Sequence, residues 1–126
     1  IYIHIKRSLI VPMMANFDVA DADFTCPVRF ETTQPTQALG MLNSAFIDRE
    51  ATVFANFLKA NAKSDLKSQV RLALRRATQR EPSTREVEMG VGLINALQAD
   101  SKISENDALK YFCVVALNLN EFIYLD

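Results

Sequence analysis

The stretch Phe46-Ile47-Asp48-Arg49-Glu50-Ala51-Thr52-Val53-Phe54-Ala55-Asn56-Phe57-Leu58-Lys59 decides the fold class. Ile47, Ala51, Phe54 and Leu58 recur at steps of three and four residues, and Phe46, Val53 and Phe57 widen the stripe. Asp48, Arg49, Asn56 and Lys59 take the other side. This is the period of a helix that buries one broad face.

The neighbouring segments repeat the pattern. Upstream, Thr32-Thr33 leads into Pro35, whose fixed φ and missing N–H suit a first helical turn. That helix carries Ala38, Leu39 and Leu42 and is expected to stop near Asn43-Ser44, with Asn43 free to turn left-handed. Downstream, Ser64 is expected to cap a helix with Leu66, Val70, Ala73, Leu74 and Ala77 inward, ended by Arg80-Glu81-Pro82. Ser83 and Glu86 have the spacing of a capping box, in which each side chain satisfies a backbone N–H of the new helix. Val87, Gly90, Val91, Ile94 and Leu97 form the inner stripe of that helix. Gly90 and Gly92 each cost it on the order of 1 kcal/mol relative to Ala, partly offset if a neighbour comes close. Ser104 opens the last helix, with Ala108, Phe112, Val115, Ala116 and Leu119 inward and Asn118 or Asn120 at its end.

The chain ends read differently. A short helix over Pro12 to Phe17 precedes a loop from Asp18 to Arg29. Ile1, Ile3 and Ile5 alternate with Tyr2, His4 and Lys6, and Phe122-Ile123-Tyr124-Leu125 is also β-like. A short two-stranded pairing of the termini is therefore expected, or else an arm that packs on sequence outside this segment. The expected architecture is all-α, a bundle of about five helices forming a single domain over residues 1–126.

With 126 residues, 49% hydrophobic and 23% charged, the chain can build one core without help. Its formal net charge of −1 supplies no overall field for nucleic acid or anionic lipid. The charge is uneven, since residues 59–80 hold seven Lys/Arg and one Asp, whereas 81–126 hold three Lys/Arg and eight Asp/Glu. Antiparallel packing would bring these opposite signs together. No apolar run approaches the roughly 18 to 20 residues that cross a bilayer, so membrane insertion is not expected.

Several stretches carry a family resemblance. They are Ile5-Lys6-Arg7-Ser8-Leu9, Phe17-Asp18-x-x-Asp21, and Cys26-x-x-Arg29-x-x-Thr32-Thr33-x-Pro35-Thr36-Gln37-Ala38-Leu39-x-x-Leu42-Asn43. Further on come Arg76-Ala77-x-x-Arg80-Glu81-Pro82-Ser83-x-x-Glu86 and Ala116-Leu117-Asn118-x-Asn120-Glu121-Phe122-Ile123-Tyr124-Leu125-Asp126. Together they resemble the C-terminal part of the planctomycete PSD-type domain of unknown function. In three places the chain departs from the family pattern: Ala20 replaces a Pro, Thr78 a Leu and Gln79 the Gly of a turn. The resemblance implies a helical segment from the C-terminus of a large exported protein, in the periplasm or cell envelope, often with a cytochrome c-like domain upstream. It implies no activity.

Chemistry-bearing residues are few. Cys26 and Cys113 form no zinc spacing, and they are either two buried thiols or one disulfide. His4 is the lone histidine, without a second imidazole to form a catalytic pair. Asp18, Asp21 and Asp23 lack the Gly and closing Glu of a calcium loop, so no metal is expected. A clamp of Arg29 on Asp18 and Asp21 is a structural expectation, as are caps by Ser83, Glu86, Asn118 and Asn120. Arg71, Arg75, Arg76 and Arg80 lack aromatic interleaving, so nucleic acid is not expected as a partner.

No catalytic residue and no cofactor is expected, and the isolated domain reads as non-enzymatic. The leading expectation is a structural or protein-interaction module whose partners are upstream domains of the same protein. One alternative is a carbohydrate- or peptide-binding cleft around Arg29, Thr33 and Gln37. Another is part of an enzyme site completed by upstream sequence. The oligomeric state is open at this level.

Overall fold

The computed structural model describes residues 12–18, 35–62 and 65–124. The chain divides into two compact units, Ile1–Asn43 and Ser44–Asp126, with the boundary just after the second helix. All described elements are helical, which agrees with the all-α expectation. Ile1–Ile5 lies outside the described residues. Phe122-Ile123, read as β-like, belongs to a helical turn instead, so the pairing of the termini is not seen. Residues 119–124 close local hydrogen bonds, with the N–H groups of Ile123 and Tyr124 reaching the carbonyls of Leu119 and Asn120. That use of the backbone leaves no ladder for a strand.

In the first unit, α1 (Pro12–Ala15) and α2 (Pro35–Leu42) are described. Pro35 is the first residue of α2, as its missing N–H dictates. The helix ends at Leu42, and Asn43 donates its N–H back to Leu39. Asn43 has no positive φ; among the described residues the left-handed ones are Asp18, Gln79 and Lys102. Leu39 and Leu42 are exposed while Gln37 is buried, the reverse of an apolar-inward reading of α2.

The second unit holds five helices. They are α3 (Ala45–Asn61), α4 (Leu66–Thr78), α5 (Thr84–Ser101), α6 (Glu105–Ala116) and α7 (Asn120–Ile123). Ser44 caps α3 by accepting the N–H groups of Phe46 and Ile47. Asp65, not Ser64, caps α4: its carboxylate accepts from Lys67 N, Ser68 N and the Ser68 hydroxyl. Those bonds hold the Asp65 carboxyl below its ordinary range, the Ser68 hydroxyl contributing most. The expected capping box at α5 is present in both directions, Glu86 N to Ser83 Oγ at 3.3 Å and Ser83 N to Glu86 Oε2 at 2.7 Å.

Helix α6 is the hub, packing on α3, α4 and α5. Ala108, Leu109, Phe112, Cys113, Val114 and Ala116 are buried along it, whereas Val115, expected inside, faces out. From α3 come Ile47, Ala51, Ala55 and Leu58, from α4 Val70, Ala73 and Ala77, and from α5 Val87 and Ile94. The α3 stripe is narrower than its sequence indicates. Phe46, Val53 and Phe57 lie on the outer side and are exposed, because Ala51 and Ala55 occupy the face turned to the core.

The two glycines of α5 differ. A Cβ on Gly90 would lie 2.6 Å from Val70 Cγ1 and 2.9 Å from the Phe112 ring, so its bare backbone lets α4 and α6 meet on α5. A Cβ on Gly92 would meet nothing within 4 Å. Gly90→Ala should therefore destabilise the chain by about 1–3 kcal/mol through overpacking, and Gly92→Ala should stabilise it by roughly 0.5–1 kcal/mol through helix propensity. Urea unfolding in dilute solution checks this, and equal effects at both positions would contradict the packing.

Candidate functional site

Among the described residues, the densest set of charged contacts is built where α4 turns into α5. Gln79 ends α4 in the left-handed conformation, at φ 56°. That geometry accounts for the Gly of the turn that this chain replaces, since Gly takes positive φ without steric cost. The turn presents Arg80 to two carboxylates. Its Nη1 and Nη2 donate to Glu86 Oε2 and Oε1 at 3.0 and 2.5 Å, and its Nε and Nη2 donate to Glu121 Oε2 and Oε1 at 3.1 Å each. One planar guanidinium thus ties the first turn of α5 to α7 by two forked contacts.

The electrostatics follow the geometry. Arg80 first, then the Ser83 backbone and hydroxyl, hold the Glu86 carboxyl down at about 2 against an ordinary 4.5. The two carboxylates push the Arg80 guanidinium further up from its already high value. A carboxylate so stabilised is a poor proton acceptor near neutrality. The cluster's chemistry is that of a latch at the surface, with Arg80 and Glu121 about half exposed.

Around it, the sequence-selected residues take structural places. Asn118 Nδ2 donates to Val114 O at 2.7 Å, closing the end of α6, while its Oδ1 is buried without a hydrogen-bond partner. Asn120 opens α7 and accepts from Tyr124 N through its carbonyl. Asp18 has φ 53°, a turn geometry that Asp tolerates. Asp21, Asp23, Arg29, Thr33, Cys26 and His4 lie outside the described residues, so the Arg29 clamp and most of the Arg29–Thr33–Gln37 cleft do too. Gln37 itself is only 3% exposed and does not face solvent.

Cys113 is a free thiol with no exposed surface. Burial within α6 pushes the thiol up to about 12. Among the described residues, no group of three His, Cys, Asp or Glu could hold a metal ion, and no helix is long and apolar enough to cross a membrane. Lys67, Glu88, Val91, Gly92 and Asn95 line an open groove of about 340 Å³ on α4 and α5. None of these five was selected as a site residue from sequence.

The latch was missed for an identifiable reason. Arg80 reads as part of a basic face with Arg71, Arg75 and Arg76, and nothing in spacing predicts its reach to Glu121, 41 residues on. The available signal was that Arg80 and Glu86 share one quoted stretch, and Glu121 lies in another.

The family pattern described as PSD1, protein of unknown function (DUF1553), matches residues 1–94. The chain belongs to this family. The match ends within α5, so Arg80, Ser83 and Glu86 fall inside it and Glu121 beyond it. No curated protein and no solved structure matches the chain.

Two outcomes are expected. Because the Glu86 carboxyl is depressed on folding, its contribution is complete above about pH 4.5 and is lost as pH falls through about 2. Glu86→Gln should therefore lower Tm at neutral pH and flatten its decline over that acid window; parallel curves for both proteins would contradict the latch. In a Cys26→Ser background, Cys113 should react with a water-soluble disulfide reagent only when the chain unfolds, and prompt labelling of the native protein would contradict its burial.

Proposed function

We propose that this PSD1-family chain is a non-catalytic interaction module that docks other domains of the same, exported protein. Support for this reading comes first from one observation, the outward line of Phe46, Val53 and Phe57 on α3, where Val53 is 62% exposed. These side chains stand seven and four residues apart, so they share a face about 16 Å long. Exposed apolar side chains aligned on one face are what a docking surface needs and a finished exterior avoids.

The charges around the line define what would cover it. The Arg76 guanidinium stacks over the Phe57 ring, 5.5 Å from its centroid, and Arg49 flanks Val53. Glu50 interrupts the line between Phe46 and Val53. The occupant is accordingly an apolar surface with carboxylates opposite the two arginines and a cation opposite Glu50. Several ionisable groups of the described residues are engaged in caps and surface ion pairs, and the one described thiol is sealed in the core, which favours scaffolding over chemistry. The placement in an exported, envelope-associated protein rests on the family resemblance drawn from sequence.

The test is binding in trans. Titrating this chain into the remainder of the parent polypeptide should give saturable binding by calorimetry, and Val53→Glu should weaken it at least tenfold. Because Val53 is exposed, the variant's own stability should stay within about 0.5 kcal/mol. No binding by the unaltered chain, or equal binding by the variant, would overturn the proposal.

A further inference from the structure

Helix α5 has a second outward face, separate from the α3 line. Arg85, Met89, Gly92, Ala96 and Ala99 follow one another at alternating steps of four and three residues, the spacing of a seam between paired helices. All five are exposed, Met89 at 65%, and Leu93 beside them is 36% exposed. The buried side of the same helix, Val87, Gly90 and Ile94, lies opposite. Gly92 offers no internal reason for its cost, since a Cβ there meets nothing, and an open groove runs beside it.

We infer that this face pairs with the same face of a second copy of the chain, the two α5 helices running antiparallel about a two-fold axis near Gly92-Leu93. The register follows from self-complementarity. With Gly92 opposite Leu93 of the other copy, Met89 falls opposite Ala96 and Arg85 opposite Asp100, each twice by symmetry. Large side chains then meet small ones, and cations meet anions. A parallel pairing would set Arg85 beside Arg85 and Asp100 beside Asp100. Neither Arg85 nor Asp100 has an ion-pair partner among the described residues, which leaves both charges for this contact. Gly92, Ala96 and Ala99 let the backbones approach to the short end of helix-packing distances, about 8 Å. One helix pair is a small interface, so the dimer is reversible and concentration-dependent.

The inference does not rest on the α3 docking surface, and sedimentation equilibrium of the full 126-residue chain tests it on its own. Between about 1 μM and 1 mM the mass should rise from monomer toward dimer. Gly92→Leu should abolish the rise without lowering the Tm of dilute protein, because its Cβ enters open space. Arg85→Asp should weaken association about tenfold, and Arg85→Asp with Asp100→Arg should restore it to within about threefold. A monomer at every concentration would overturn the proposal, and so would a dimer indifferent to both Gly92→Leu and Arg85→Asp.

Discussion

Gly90 is where three helices are allowed to meet. Val70 and the Phe112 ring stand where its side chain would be, so α4 and α6 both rest on bare α5 backbone. The helix loses intrinsic stability at that position, on the order of 1 kcal/mol, and the loss is offset by seating Phe112, a large ring with almost no exposed surface, against the backbone. Once Phe112 is seated, the register of α6 is set. Leu109 and Cys113 then turn into the core, Val115 is carried outward, and Asn118 arrives where its amide closes the end of the helix.

The polar end of the unit is organised by the Arg80 latch. Surface ion pairs contribute little to stability when taken singly, but this one joins three elements through a single side chain. The capping box fixes the Glu86 rotamer, Glu86 orients the guanidinium, and the guanidinium holds Glu121 and with it α7. The opposed charge of residues 59–80 and 81–126 appears elsewhere as the exposed Arg71–Glu81 pair at 3.4 Å. Opposed charges therefore meet around the turn from α4 to α5, and the latch gives one of those attractions a defined geometry.

The fold class was legible in the sequence because helix periodicity, Pro35 at a first turn and the Ser83–Glu86 box are local signals that tertiary contacts did not override. The finer errors have local causes too. Ser64 and Asp65 are adjacent and both competent to cap, and the helix starts at Leu66 with Asp65 as its cap. Phe122-Ile123 has β propensity, but propensity in a four-residue piece yields to the local hydrogen bonds that residues 119–124 make. Phe46, Val53 and Phe57 fit a helical period perfectly well; periodicity says that a face is apolar and is silent about who covers it. The latch was illegible because its last link crosses 41 residues of sequence.

Alanines fill much of the core of the second unit, beside larger side chains such as Leu58, Ile94, Leu109 and Phe112. Ala51, Ala55, Ala73, Ala77, Ala108 and Ala116 are buried, while Phe46, Val53, Phe57, Met89, Tyr111 and Phe122 are exposed. Small interior residues bring helix axes together, yet each removes little apolar area from water, at about 25 cal/mol per Å². Of the large side chains left outside, Phe46, Val53 and Phe57 are aligned on α3, while Met89 lies on α5, Tyr111 on α6 and Phe122 on α7. A monomer selected only for its own stability would gain by turning them inward. The α3 line at helical spacing, with an arginine stacked on Phe57, is the feature on which the proposed docking of other domains depends.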